Sequence, residues 1–107
     1  MSVRCLFFGK YTPESIKGIM GGSDRMAAVE AIVAAAGGSV NMVSFTRGPY
    51  DVVADMNLPS VEVMMGAMAT VQASGSMSDT MYLECVEGDP IWDAEKSIAR
   101  AYTPANA

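Results

Sequence analysis

Residues 39 to 57 hold the pattern that most narrows what this chain can fold into. Ser39 to Thr46 alternates with period two, Val40, Met42 and Ser44 on one side and Asn41, Val43 and Phe45 on the other. Arg47-Gly48-Pro49 follows, with a glycine that frees the backbone and a proline that fixes φ. Tyr50 to Asn57 is extended again, so the spacing predicts a central antiparallel hairpin. The flanking segments must supply the rest of the sheet and whatever covers it.

Glycines and prolines divide those flanks. Val3 to Tyr11 reads as a strand with Val3, Cys5 and Phe7 on one face and Leu6 and Phe8 on the other. Thr12-Pro13-Glu14-Ser15 opens a short helix through Met20, with Thr12 as N-cap and Pro13 in the first helical position. Gly21-Gly22 breaks it. Ser23 is expected to cap a second helix to about Ala36, with Asp24 suiting the helix dipole and Met26, Val29, Ile32, Val33 and Ala36 forming the buried stripe. Gly37-Gly38 ends that helix. After the hairpin, Pro59 and Ser60 start a helix to about Ser74 whose stripe includes Val61, Met64, Met65, Met68 and Val71. Gly75 stops it, and Met77 to Val86 is a fourth strand. Asp89-Pro90 opens a last helix to about Tyr102, and Thr103 to Ala107 is a frayed tail.

The order is β-α-β-β-α-β plus a C-terminal helix. With right-handed crossovers, strand one lies between strands three and four, and both long helices cover one face. The expected class is α+β: a ferredoxin-like domain with an antiparallel four-stranded sheet over residues 1–88, a helical extension over 89–102 and a tail over 103–107. A length of 107 residues suits one such domain. Strand one is apolar at both parities, and strand three carries Val52, Val53, Ala54 and Met56. An apolar face of that size is normally buried against something. A homo-oligomer is therefore expected, in the first instance a dimer pressing sheet against sheet.

Composition excludes several functions. The chain has no histidine, which removes Ser-His-Asp and Cys-His nucleophile systems and His-ligated haem or zinc. Its net charge is −5, and the seven basic residues are scattered, so neither nucleic acid nor an anionic membrane is an expected partner. No apolar run approaches the roughly 20 residues of a membrane span, and Met1-Ser2-Val3-Arg4-Cys5-Leu6 does not open a signal peptide, so the expected location is cytoplasmic. Cys5 and Cys85 make no disulfide framework.

Several residues in order carry a resemblance to a known family: Thr12, Gly18, Arg25, Gly37-Gly38, Gly48/Tyr50/Asp51, Pro59 and the run Thr80-Met81-Tyr82-Leu83-Glu84-Cys85. Over about residues 3 to 86 the chain resembles the GYD domain family, small bacterial proteins named for the Gly-x-Tyr-Asp motif. The resemblance implies a ferredoxin-like fold and association into dimeric α+β barrels, and it implies no reaction. Tyr82 and Cys85 depart from the small or hydroxyl residues usual in the fourth strand. The abundance of Met and the Trp92 helix depart from the family pattern as well.

Five residues are candidate ligand contacts. In Tyr50-Asp51 a hydroxyl beside a carboxylate could orient a ligand or move a proton. Neighbours on a strand face opposite ways, however, which favours a structural reading in which Asp51 bonds turn amides and Tyr50 packs on the sheet. Arg25, near a helix N-terminus and the Gly21-Gly22 loop, could hold an anionic ligand, with Lys10 and Tyr11 at the end of strand one joining it. The competing reading pairs Arg25 with Asp24 or Glu14 at the surface. Cys5 and Cys85 on neighbouring strands, with Met42, Met56, Met77 and Met81, could offer soft metal ligands. Buried Cys and core Met account for them better, and no CxxC cluster supports a metal, so neither metal nor cofactor is expected. Trp92 could staple the last helix to the domain or to a partner subunit.

Three functions fit these readings. One is an oligomeric binding or assembly module that holds a small organic ligand between sheet and helices. Another is a cofactor-free enzyme of the dimeric α+β barrel type, an isomerase or monooxygenase, with Tyr50, Asp51, Lys10 or Arg25 acting on a small carbonyl or phenolic substrate. The third is a trimeric regulator similar to the nitrogen-signalling trimers, against which short loops and the absence of a basic loop weigh. The first is preferred.

Overall fold

The computed structural model describes residues 2–106; Met1 and Ala107, the ends of the expected domain and tail, lie outside the described residues. The elements are β1 (Val3–Tyr11), α1 (Pro13–Met20), α2 (Arg25–Ala35), β2 (Ser39–Phe45), β3 (Val52–Leu58), α3 (Val61–Ala73), β4 (Met77–Cys85) and α4 (Gly88–Ala101). They form one sheet in the order β2-β3-β1-β4, antiparallel throughout, which is the expected ferredoxin-like arrangement.

Caps set most of the boundaries. The Thr12 side chain accepts from the Ser15 N–H, with Pro13 directly after it, as predicted. The cap of α2 is Asp24 rather than Ser23: its carboxylate accepts from the Ala27 N–H at 3.1 Å and starts the helix at Arg25. Ser60 caps α3 in the same way through the Val63 N–H. Gly37 ends α2 at φ +77°, where a side chain would be strained.

One face of the sheet carries Cys5, Phe7 and Tyr11 of β1 beside Val52, Ala54, Met56 and Leu58 of β3, all buried. Val33 of α2 and Met64, Ala67 and Met68 of α3 close over them. Val29, Ile32 and Ala36 join from the predicted α2 stripe, but Met26 stays exposed; on α3, Val61 and Met65 are exposed and Ala67 takes the core position instead. Gly38 is obligatory at the β2 entrance, because a Cβ there would lie 2.2 Å from the Asn57 carbonyl oxygen.

β2 departs from simple alternation. Its register on β3 shifts between Val40 and Met42, leaving Asn41 as an extra residue. Val40 and Val43 therefore both pack toward the helices, where period two had put them on opposite faces. Asn41 instead donates to Asp55 on the other face at 3.1 Å.

That other face carries no helix of the βαβ units. It shows Leu6, Phe8, Val53, Met81 and Leu83, with Met81 39% and Leu83 48% exposed. Near one end Arg4 donates to both carboxylate oxygens of the buried Asp55, and Asn41 and Asn57 extend the network. α4 buries no residue. The radius of gyration, 17.9 Å, exceeds the roughly 13 Å of a compact domain of this length, so α4 projects from the body. Trp92 packs over Gly88 in the first turn of its own helix and remains 57% exposed, so it does not staple α4 to the domain.

Candidate functional site

The end of β1, the start of α1 and the start of α2 meet at one corner. Thr12 donates its hydroxyl to the Gly75 carbonyl at 3.0 Å, and its N–H to that of Ser76 at 3.1 Å. The buried Ser15 hydroxyl donates to the same Ser76 carbonyl at 2.7 Å. These bonds hold α1 against the α3–β4 connection. The Gly21-Gly22 turn then reverses the chain, with Gly22 at φ +96° and the Ser23 N–H on the Gly18 carbonyl. This reversal lays Arg25 back across α1.

Arg25 is held there by three contacts. Its Nη2 donates to the Ser15 carbonyl at 2.6 Å. Its guanidinium carbon sits 5.4 Å from the centroid of the Tyr11 ring, a cation–π distance. Gly18 leaves the space it needs, since a Cβ on Gly18 would come within 2.9 Å of Nη2. The Arg25 Nε is buried and has no hydrogen-bond partner among the described residues. Leaving a buried donor unpaired costs on the order of 1–3 kcal/mol, so the group stands out among well-paired neighbours.

Arg25 and Tyr11 also line a cavity of about 200 Å³ between the sheet and helices α2 and α3. Phe7, Met56, Val29, Met68 and Met77 supply much of the remaining wall. Arg25 is the one charged side chain among the described lining residues, and no carboxylate lines the cavity. Burial pushes the Tyr11 phenol above its ordinary pKa, with the Arg25 cation pulling the other way and Asp51 adding to the rise. Tyr11 therefore remains a neutral phenol at neutral pH. The cavity is largely apolar, with Arg25, Tyr11, Thr70, Ser74 and Ser76 as the polar residues among its described lining. A second hollow, beside Gly37, Ser39 and Pro59, has no titratable residue among its described lining residues.

The other predicted site residues lie elsewhere. Asp51 accepts from the Tyr11 N–H at 2.9 Å, while its own N–H donates to the Gly9 carbonyl and its carbonyl accepts from Thr46 N–H. Those bonds fasten the hairpin to the end of β1 and delay β3 from the predicted Tyr50 to Val52. Tyr50 packs on Phe8 with centroids 5.8 Å apart, on the open face. Lys10 is exposed beside Asp79. The surface pairing expected for Arg25 with Asp24 or Glu14 is replaced by the Ser15 carbonyl.

The six soft side chains are divided by the sheet. Cys5 pairs with Glu84 and Arg4 with Cys85, which puts the two cysteines on opposite faces. Cys5, Met56 and Met77 lie on the helix side, Met42, Met81 and Cys85 on the other. Neither a Cys5–Cys85 disulfide nor a shared soft site fits that placement.

Sequence reasoning missed Ser15, Gly18 as the seat of Arg25, and Gly9. A Cβ on Gly9 would sit 2.8 Å from both the Met77 sulfur and the Phe7 ring. The available signals were a hydroxyl one turn after a capped Pro, and a glycine inside a helix that propensity would fill otherwise.

The sequence model of the GYD domain matches residues 5–89, most of the chain. The chain belongs to the GYD domain family. The match ends in the first turn of α4. Within it, the motif residues Thr12, Gly18, Arg25 and Asp51 gather at the corner just described, and the Gly48-Pro49-Tyr50-Asp51 segment acts there through Asp51. A solved structure described as "crystal structure of FFRP-DM1" superposes with a TM-score of 0.56, covering 78% of this chain and 99% of that one at 9% identity. At that identity the likeness shows the ferredoxin-like fold alone. No curated protein matches the sequence. Among the described residues, no helix is long and apolar enough to cross a membrane.

Proposed function

We propose that this GYD-family domain is a binding module that takes a small organic ligand into the cavity between its sheet and helices, and that it works as a homodimer. One observation carries the reading: a largely apolar cavity of about 200 Å³ has Arg25 as the one charged residue among its described lining residues. An apolar chamber with few polar groups is the usual form of a small-molecule site. The volume suits a small guest, since an engineered apolar cavity of about 150 Å³ accepts benzene.

The enzyme reading requires at least two of Lys10, Arg25, Tyr50 and Asp51 in one cavity, and only Arg25 lines it. Tyr11, the other titratable residue among the described lining residues, is pushed away from the basic form by burial. Binding is thus favoured over acid–base catalysis.

The dimer rests on the open sheet face. Leu6, Phe8, Val53, Met81 and Leu83 form an apolar surface that no helix of the βαβ units covers, with the paired Arg4 and Asp55 at one end and Lys10 and Asp79 at the other. A second copy offers the same apolar surface. A native mass spectrum of freshly purified protein tests both parts. The expected species is a dimer carrying a non-covalent adduct of low mass; a bare monomer contradicts the proposal.

A further inference from the structure

We infer that the ligand of the cavity is an anion: a small, largely apolar carboxylate whose head meets Arg25 and Tyr11 and whose body fills the space between Phe7, Val29, Met56 and Met68. The inference rests on the binding role proposed above and adds the chemistry of the head group.

The charge balance of the cavity supports it. Arg25 brings a permanent positive charge to a wall that has no carboxylate. Its contacts are a neutral carbonyl at 2.6 Å and an aromatic ring at 5.4 Å, and neither neutralises it. Asp24, the nearest acid in sequence, is occupied in capping α2 through the Ala27 N–H. The Arg4–Asp55 pair lies on the opposite face of the sheet. A guest anion would pair with this guanidinium in a charge-assisted interaction of the strong kind. The neutral Tyr11 phenol, in the same wall, can donate a second bond to the same head group.

The seat is also built in advance. Gly18 leaves room for the guanidinium, Ser15 anchors it, and the Asp51 carboxylate holds the Tyr11 amide. A donor fixed before binding loses little freedom when the ligand arrives, which favours affinity. The apolar remainder of the cavity then selects for one ring or a short chain, and rejects polyanions such as nucleotides, for which a single cation and about 200 Å³ are insufficient.

Calorimetric titration of the purified protein with benzoate and with its neutral near-isostere benzamide tests the inference at neutral pH. Benzoate is expected to bind more tightly, by about ten- to a hundredfold, the range of one or two hydrogen bonds to a charged group. In Arg25→Gln the preference should vanish while benzamide binding persists, which also reports that the variant is folded. Arg25→Lys, which keeps the charge but lacks the planar guanidinium fork, should retain only part of the preference. Equal affinities for benzoate and benzamide in the unaltered protein overturn the head-group assignment and leave the cavity site standing. If neither compound binds, the cavity reading fails and this inference fails with it.

Discussion

The carboxylate of Asp51 accepts the backbone N–H of Tyr11 at 2.9 Å, joining the residue that closes the hairpin to the residue that walls the cavity. Forty positions separate the two in sequence, and the bond holds the last residue of β1 in place below α2. Tyr11 is in turn the ring on which Arg25 rests. The hairpin motif thus reaches the candidate site through one hydrogen bond, while its own tyrosine faces the other side of the sheet.

Replacing Asp51 with alanine should therefore lower stability and weaken the cavity together. The loss of an acceptor for a part-buried amide amounts to about 1–3 kcal/mol. Urea midpoints of the unaltered protein, Asp51→Asn and Asp51→Ala should fall in that order, since asparagine keeps an oxygen at the same reach. An Asp51→Ala protein with unchanged stability contradicts the structural role.

Gly38→Ala should be more damaging than its position at a surface turn suggests. The added Cβ meets the Asn57 carbonyl oxygen at 2.2 Å, a clash that only backbone movement of β2 or β3 relieves. Overpacking of this kind costs typically about 1–3 kcal/mol, and a backbone contact has less room to give than a side chain. Thermal unfolding of Gly38→Ala beside Gly66→Ala makes the comparison, because a Cβ at Gly66 meets nothing within 4 Å. Equal melting temperatures would contradict the close approach.

How much of this was legible beforehand depends on what each residue signals locally. The element order was readable because Gly21-Gly22, Gly37-Gly38, Pro59 and Gly75 punctuate the chain, and because Thr12 and Ser60 are strong N-cap types. The bulge at Asn41 was not, since alternation counts residues and cannot reveal one that is left unpaired. The late start of β3 was hidden for a related reason: Asp51 spends its backbone and side-chain groups on β1 and Thr46, a tertiary choice. Arg25 and Tyr11 were readable as candidates from helix-terminus chemistry and strand position. Their convergence was not, because it depends on the missing Cβ of Gly18 and on the seat made by the Ser15 carbonyl.

Acid should expose the Arg4–Asp55 pair. Hydrogen bonds from Arg4, then Asn41, lower the Asp55 pKa from 3.8 to about 2. A carboxylate depressed in the folded state contributes its full stability above the ordinary value and loses it as pH falls from about 4 toward 2. Urea midpoints across that window should drop for the unaltered protein and drop less for Asp55→Asn. Parallel curves for the two proteins contradict the assignment.

The thiols should behave as two separate groups. Burial, first among the causes, raises Cys5 to about 11, while Cys85 is exposed on the other face. At pH 8 a thiol reagent should modify one cysteine in the native protein and both in denaturant, because the thiolate is the reacting form. Rapid native labelling of Cys5 contradicts this placement.

The most direct test of the central claim uses the methionines themselves. Met56, Met68 and Met77 line the cavity, whereas Met20 is 82% and Met65 55% exposed, and Met42 and Met81 lie on the open sheet face. In a spectrum of ¹³C-methyl-labelled methionine titrated with toluene, the signals of Met56, Met68 and Met77 should shift together and saturate while those of Met20, Met42, Met65 and Met81 stay fixed. A spectrum in which those three do not move, or in which only Met42 and Met81 respond, contradicts a ligand site between the sheet and its helices.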